Sequence, residues 1–319
     1  MSNLLIGFLG ALVATNQPAA LSNLVAQKTG IVVKVPDADD PVAQELRKIM
    51  EDDDAAHDEV DRWILEESKF AQKGAGNAAA LNARILKRFE QVQKSYEAFL
   101  TKHPTNVHAR LAFGSFLEGI GEEHDAFLQW EKAKELDPKN PAAWNNLANY
   151  HGHRGPAKKA FEYYAKAIEL NPHEPVYYHN FGTTVFLFRK DAREYYNIEE
   201  QQVFDKALEL YEKARVLKPN DFILATDIAR TYYGIRPTRV DEALKAWTNA
   251  LNLARDEMER QGVYVHLARF EMQGGRFDKA REQLAKVTMS EYDDLKKRVG
   301  DTIDRKEKEA KEGKPPADE

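Results

Sequence analysis

The stretch PAAWNNLANYHGHRGPAKKAFEYYAKAIELNPHE, residues 141–174, decides the fold of this chain. Small residues stand where two helices must approach closely, and large residues stand where the space between the helices must be filled. The small residues are Ala148 and Ala160, and the large ones are Trp144, Leu147 and Tyr164. Pro172 ends the second helix, because proline cannot continue one. The stretch therefore predicts a helical hairpin with Trp144 in its core.

The same arrangement returns before and after this stretch. Residues 107–140 repeat it without a gap, with Gly114 at the close approach and Trp130 filling the interior. The third unit is lengthened by an insertion around residues 189–202, and the fourth has a longer loop near residues 234–237. In total we predict five units, at residues 107–140, 141–174, 175–221, 222–257 and 261–288.

This pattern resembles the tetratricopeptide repeat, a helix–turn–helix unit of about 34 residues with Trp, Leu, Gly, Tyr, Ala, Phe and Pro at set positions. The resemblance implies an all-α fold, a right-handed superhelical α-solenoid of stacked hairpins. Five units exceed the three or so that a free-standing stack requires. Within the family, the chain is similar to exported bacterial members, because an apolar segment stands near its first residue.

The regions on either side of the repeats are also predicted from the sequence. They are an arm or linker at residues 21–54, an atypical helical hairpin at 55–104, a capping helix at 289–304 and a disordered tail at 305–319. We expect Asp52, Asp53 and Asp54 to separate two helices, because their side chains can cap the start of a new one. The hairpin is expected to cover the first repeat.

The apolar run LLIGFLGALVA, residues 4–14, predicts where the protein is located. It is shorter than the roughly 17 to 25 residues that a membrane-spanning helix needs, and it fits the central region of a signal peptide. We therefore expect a signal peptide at residues 1–20, a periplasmic or secreted protein, and no membrane span in the mature chain. The alternative is a cytoplasmic protein that retains an apolar N-terminal helix.

Composition argues against several classes of function. The net charge of −6 and the absence of a basic face indicate no nucleic-acid partner. The chain contains no cysteine, which excludes thiol catalysis, thiolate zinc sites and disulfides. No G-x-S-x-G, H-E-x-x-H or P-loop motif occurs. We therefore predict that the protein is not an enzyme, has no catalytic residues, and uses no cofactor and no metal.

Two apparent motifs are interpreted as structural. GAGNAA, residues 74–79, has the form of a dinucleotide-binding loop, but a helical pattern precedes it instead of a strand, so we predict a turn with Asn77 as an N-cap. His151 and His153 stand two residues apart, and side chains at that spacing on a helix point about 200° apart. They cannot share a metal on a helix, and we expect His151 in the core.

The resemblance also implies where a partner binds. In this family the first helix of each hairpin lines a concave groove, so a protein or peptide segment is the expected ligand. The groove residues implied are Asn145, Asn149, His179, Asn180, Thr183, Thr226, Arg230, Val265 and Arg269. Asparagine amides can hold the backbone of an extended peptide, and guanidinium groups can bind a carboxylate bidentately.

The clamp by which chaperone-binding members of the family hold an acidic C-terminus is incomplete here. Asn149 and Asn180 agree with it, but Asn145, Ile223 and Asp227 stand where Lys, Lys and Arg are expected. The sequence thus predicts a non-enzymatic scaffold or adaptor of the bacterial cell envelope. The alternatives are a cytosolic co-chaperone or assembly factor, and an accessory subunit of an enzyme complex.

Overall fold

A computed structural model describes residues 40–71 and 77–313, and every regular element in this part of the chain is helical. The α-helices are α1 (Pro41–Ala71), α2 (Ala78–Lys102), α3 (Val107–Gly119), α4 (Glu123–Leu136), α5 (Pro141–Arg154), α6 (Ala157–Leu170), α7 (Pro175–Leu187), α8 (Arg189–Tyr196), α9 (Glu200–Leu217), α10 (Phe222–Thr231), α11 (Val240–Leu253), α12 (Glu257–Gln273), α13 (Phe277–Ala285) and α14 (Asp293–Lys311). Short 3-10 helices occupy Tyr232–Gly234 and Ser290–Tyr292. The predicted all-α fold is confirmed.

The helices of residues 107–285 are arranged as helical hairpins. The five hairpins are α3 with α4, α5 with α6, α7 with α9, α10 with α11, and α12 with α13. The insertion of the third repeat forms the extra helix α8. The predicted signal peptide at residues 1–20 lies outside the described residues, as do residues 21–39 of the predicted arm.

The chain divides into two compact units. Among the described residues, unit one comprises 40–71, 77–154 and 165–171, and unit two comprises 155–164 and 172–313. Helix α6 is therefore shared between the units. Each unit is described by itself below.

In unit one, the prediction that three aspartates separate two helices is wrong, because α1 continues through them without a break. Arg88 of α2 donates to Asp52 Oδ1 at 2.7 Å and to Glu59 Oε2 at 2.9 Å. The Tyr96 hydroxyl donates to Asp53 Oδ2 at 2.9 Å. The carboxylates of α1 therefore bond to the neighbouring helix instead of capping a new one. Asn77 does cap α2, as predicted, and accepts from the Ala80 amide at 3.1 Å.

The core of unit one also corrects the prediction about Trp144. Trp130 is buried at 1% exposure, and a Cβ added to Gly114 would lie 2.3 Å from its Nε1 atom, so only glycine fits at that contact. Trp144 is only partly buried, and its Nε1 donates to the Pro138 carbonyl at 2.8 Å. The indole of Trp144 thus packs at the edge of the unit, over the turn that precedes its own helix.

Unit two contains the lengthened loop of the fourth repeat, and that loop is part of the core. Ile235 is completely buried in a cluster that includes Trp247 and Phe270. A Cβ added to Gly234 would lie 2.5 Å from Cζ of Phe186, so the backbone of the 3-10 turn packs directly against that ring. The turn is therefore held in place, together with the adjacent Tyr233, by close packing.

Helix α14 ends unit two and is longer than predicted. Val299 and Ile303 are buried against the last repeat, as expected for a capping helix. However, the helix continues to Lys311, so the prediction of a disordered tail from residue 305 is wrong for its first seven residues. Arg281 of α13 binds Asp304 at 2.8 Å and also pairs with Glu307, and these contacts support the extra turns. Residues 314–319 lie outside the described part.

Candidate functional site

The groove residues implied by the sequence lie on the first helices of the hairpins. Asn145 and Asn149 are on α5 in unit one, and the others are on α7, α10 and α12 in unit two. In unit one the two asparagines differ in exposure. Asn145 is 1% exposed, and its Nδ2 donates to Asn146 Oδ1 at 3.2 Å, which leaves it almost no surface for a ligand. Asn149 is partly exposed. Only Asn149 therefore offers an accessible amide on this helix.

In unit two, α7 and α10 bring charged side chains into contact. His179 Nε2 lies 3.3 Å from Asp227 Oδ2, and Arg230 Nη1 lies 3.3 Å from Asp227 Oδ1. The Arg230 side chain is 60% exposed, so its guanidinium remains available to a partner. One carboxylate thus faces an imidazole and a guanidinium from two consecutive repeats.

Hydroxyl groups lie next to these charges. The hydroxyls of Thr183 and Tyr211 are 3.0 Å apart, and the Thr231 hydroxyl donates to the Asp227 carbonyl at 3.0 Å. The ring of His179 lies 5.7 Å from that of Tyr211. Thr226 is 6% exposed, and its hydroxyl donates to the Ile223 carbonyl of its own helix at 2.8 Å. Thr183 is therefore partly exposed beside these charged side chains, whereas the hydroxyl of Thr226 is hydrogen-bonded within its own helix.

A second group of side chains joins α10, the 3-10 turn, α11 and α12. The Tyr233 hydroxyl lies 2.9 Å from His266 Nδ1, and the Arg269 guanidinium is close enough to lower the pKa of Tyr233. The imidazole of His266 stacks on Trp247 with ring centroids 4.0 Å apart. Val265, which the resemblance also placed in the groove, is 1% exposed. We call Asp227, Arg230, Tyr233, His266 and Arg269 the arginine cluster.

The electrostatics of the arginine cluster follow from burial and from its two guanidinium groups. Burial, together with the positive charges of Arg269 and Arg230, lowers the pKa of His266 to about 3. Burial raises the pKa of Tyr233 to about 12, although Arg269 acts against this rise. At neutral pH both side chains are uncharged. The charges of the cluster are therefore those of its two arginines and one aspartate.

Sequence reasoning missed three members of this cluster. The sequence singled out Asp227 only because it stands where the clamp of chaperone-binding family members has Arg. Tyr233 stands beside the lengthened loop, which was the one available signal, because a departure from the repeat length often carries function. His266 follows Val265 directly, and nothing in the pattern distinguishes it. The tertiary structure brings these residues together with the two predicted arginines.

The remaining predictions concern the position of His151, metal binding and membrane spans. His151 is 6% exposed and contacts the rings of Phe127 and Tyr150, so its predicted core position is confirmed. Within residues 40–71 and 77–313, no three His, Asp or Glu side chains are grouped closely enough to hold a metal ion. No helix in that same part has both the length and the apolar character needed to cross a membrane.

Comparison with known proteins agrees with this architecture. Residues 141–174 match the family model described as tetratricopeptide repeat. No curated protein matches the sequence. Among solved structures, PilW, a widely conserved type IV pilus biogenesis factor, is 13% identical, with a TM-score of 0.53 over 76% of this chain and 97% of PilW.

Two further structures have lower structural similarity. PilF of Pseudomonas aeruginosa is 17% identical, with a TM-score of 0.48 over 73% of this chain and 92% of PilF. MamA is 25% identical, with a TM-score of 0.42 over 56% of this chain and 95% of MamA.

The repeated hairpins and the family match define an α-solenoid of the kind that acts as a protein-interaction scaffold and is generally without catalytic activity. Residues 141–174 are a tetratricopeptide repeat, and the fold of the described residues is an α-solenoid of such hairpins.

Proposed function

We propose that this protein is a non-enzymatic scaffold that binds a segment of another protein along the first-helix face of unit two. The observation that carries the proposal is the contact between first helices of consecutive repeats. Asp227 of α10 lies 3.3 Å from His179 of α7, and Tyr233, which follows α10, lies 2.9 Å from His266 of α12. Polar and charged groups therefore form a continuous surface across three repeats.

The chemistry of this surface suits an extended segment. Amides, hydroxyls and guanidinium groups can hydrogen-bond to peptide carbonyls and to polar side chains, and none of them requires a reacting bond. The groups are held by neighbouring helices before a partner arrives, so little ordering is needed on binding.

Site-specific photo-crosslinking tests the proposed surface. Thr183 is replaced by p-benzoylphenylalanine in the full chain, which is then irradiated in cells that naturally produce it. The matched control carries the same residue in place of Lys213, which lies on the second helix of the same repeat and is 53% exposed. We expect partner adducts from Thr183 and none from Lys213. Adducts confined to Lys213 would refute the assignment of this face.

A substitution gives a second test. Arg230→Glu should abolish capture of the crosslinked partner while the melting temperature stays nearly unchanged. The Arg230 side chain is 60% exposed, and an exposed ion pair such as Arg230 with Asp227 contributes about 0–1 kcal/mol. Equal capture by this variant and by wild type would contradict the proposal.

We also propose that the protein acts in the bacterial cell envelope. The support is the apolar run at residues 4–14, which resembles the central region of a signal peptide. Mass spectrometry of the mature N-terminus tests this location, and we expect a chain that begins near residue 21. A soluble cytosolic chain that still contains residues 4–14 would favour the alternative, a co-chaperone or assembly factor.

A further inference from the structure

We propose that the hairpin of α1 and α2 binds an amphipathic helix of a partner protein on the part of its face that extends beyond the first repeat. The apolar stripe of the partner helix packs on Ile64 and Leu86, and basic residues beside the stripe face the acidic helix α1. This surface belongs to unit one, so the inference does not rest on the function proposed for unit two.

One face of the hairpin already accepts a helix, namely α3 of the first repeat. The ring centroid of His57 lies 5.0 Å from that of Phe89 and 6.2 Å from that of Phe116, so α1, α2 and α3 meet at these rings. Helix α3 ends at Gly119, where an added Cβ would lie 3.3 Å from Cε1 of His57. Helix α3 therefore covers this face only as far as His57.

The same face continues after α3 has ended. Ile64 follows His57 by seven residues, which is two turns of α1. Leu86 precedes Phe89 by three residues, which is about one turn of α2. Both side chains therefore lie on the side of the hairpin on which α3 packs. From His57 to Ala71 the helix extends for about 21 Å, which is room for a partner helix of about 14 residues.

The two apolar side chains are adjacent and exposed. The Arg84 guanidinium lies 3.7 Å from the ring centroid of Trp63, which brings together the turns that carry Leu86 and Ile64. Ile64 is 48% exposed and Leu86 is 70% exposed. No side chain that the structure describes between Val60 and Val92 is buried. Large apolar side chains that are exposed as a group, and not singly, indicate a binding surface.

The opposite face of the hairpin is polar and does not suit such a partner. Four charged side chains line it together with Trp63, namely Glu59, Arg62, Glu66 and Arg84. Ile64 stands two residues from both Arg62 and Glu66, so it points about 200° away from them around the helix. The guanidinium of Arg84 covers the indole ring on this opposite face. The apolar contact is therefore available only on the side that also carries α3.

The charge of α1 favours a basic partner helix. Residues 58–71 contain five acidic and two basic side chains. Asp61 is exposed and stands four residues after His57 and three before Ile64, so it lies at the same face. Lysine or arginine beside the apolar stripe of the partner complements this charge, whereas glutamate is repelled. An amphipathic helix in a groove is recognised through apolar residues at i, i+3, i+4 and i+7.

Three fluorescein-labelled peptides of about 14 residues test the inference on the full chain by fluorescence anisotropy. The first has a helical stripe of leucines flanked by lysines. The second has glutamate in place of every lysine. The third has the composition of the first in a scrambled order that forms no stripe. We expect the first peptide to bind more tightly than either of the others by a factor of about ten or more.

Variants assign the binding to this face. Ile64→Arg and Leu86→Arg should each weaken binding of the first peptide by a factor of about ten, because a guanidinium replaces an apolar contact and repels the lysines. Leu128→Arg is the matched control, since Leu128 lies on α4 of the same unit and is 48% exposed, as Ile64 is. It should bind as wild type does, and circular dichroism confirms that each variant is folded.

Several outcomes would overturn the inference. They are no measurable binding of the first peptide, equal binding of the first and third, preference for the second, and wild-type binding by both Ile64→Arg and Leu86→Arg. Analytical ultracentrifugation of the full chain tests a second copy as the occupant. We expect Leu86→Arg to leave the oligomeric state unchanged, and a wild-type dimer that this variant dissociates would also overturn the inference. None of these outcomes bears on binding at unit two.

Discussion

The imidazole of His266 lies flat against the indole of Trp247, with ring centroids 4.0 Å apart and ring planes inclined by 7°. Trp247 is 1% exposed and belongs to the core of unit two. His266 also contacts the Tyr233 hydroxyl, which belongs with it to the arginine cluster. The stacked pair therefore joins the hydrophobic core to the proposed binding surface. Protonation of this stacked, partly buried imidazole, near the positive charges of Arg269 and Arg230, therefore destabilises the folded protein.

The first prediction concerns acid. In the unfolded chain His266 takes up a proton below pH 6.5, whereas in the folded protein it stays neutral down to about pH 3. Because the unfolded chain binds this proton and the folded protein does not, the free energy of unfolding decreases as the pH falls through this window, by up to about 1.4 kcal/mol per pH unit. Urea unfolding at pH 7, 6 and 5 should show a shallower pH dependence for His266→Gln than for wild type. Parallel pH profiles would contradict the neutral state of His266.

The second prediction compares two glycines inside helices. Gly114→Ala should destabilise the protein by about 1–3 kcal/mol, because the new methyl group meets the buried ring of Trp130. Gly300→Ala should instead stabilise it by about 0.5–1 kcal/mol, because nothing lies within 4 Å and alanine favours the helix. Thermal unfolding followed by circular dichroism measures both changes. The packing assignment fails if the two variants shift the melting temperature in the same direction.

The third prediction compares two tryptophans of unit one. Trp130→Ala removes a buried indole and should lower the free energy of unfolding by about 3–5 kcal/mol. Trp144→Ala should cost about 2 kcal/mol or less, since the side chain is only partly buried and its Nε1 hydrogen bond lies at the surface. Chemical denaturation of the two variants gives the comparison. Equal losses would mean that Trp144 is a core residue, as the sequence alone suggests.

The fourth prediction concerns the N-terminal hairpin. Arg88→Met should lower the free energy of unfolding by about 1–3 kcal/mol. The substitution removes a side chain that is only 14% exposed and leaves Asp52 and Glu59 of α1 without their guanidinium partner. Lys94→Met serves as the control. Lys94 and its partner Glu90 are 67% and 60% exposed, so this change should stay within about 0.5 kcal/mol.

Hydrogen exchange of the α1 amides localises the effect of the Arg88 substitution. Protection should fall in Arg88→Met and remain unchanged in Lys94→Met. Unchanged protection of α1 in Arg88→Met would show that apolar packing alone holds the hairpin together.

The hairpins of the repeats were predictable because their signals are local. Proline, alanine and glycine act on the backbone within a turn or two of their own position, so the spacing over residues 141–174 and 107–140 indicates where helices begin, approach and end. The N-cap at Asn77 was predictable for the same reason, since the capping oxygen reaches an amide three residues away.

Two of the wrong predictions involve partners that are distant in sequence. Asp52 and Asp53 resemble capping residues until Arg88 and Tyr96 of α2 are brought against them. Residues 305–311 resemble a frayed tail until Arg281 supplies a partner for Glu307. In each case a tertiary contact satisfied a charge that the local sequence left without an obvious role.

The sequence by itself determined the repeat, the helical hairpins and the helices that present polar groups, because the period and the backbone preferences of residues are local properties. Only the tertiary structure decided that Asn145 is buried, that Trp144 is partly exposed, and that Tyr233 contacts His266. Burial and hydrogen bonding depend on which helices lie next to one another, and that arrangement is not a local property of the sequence.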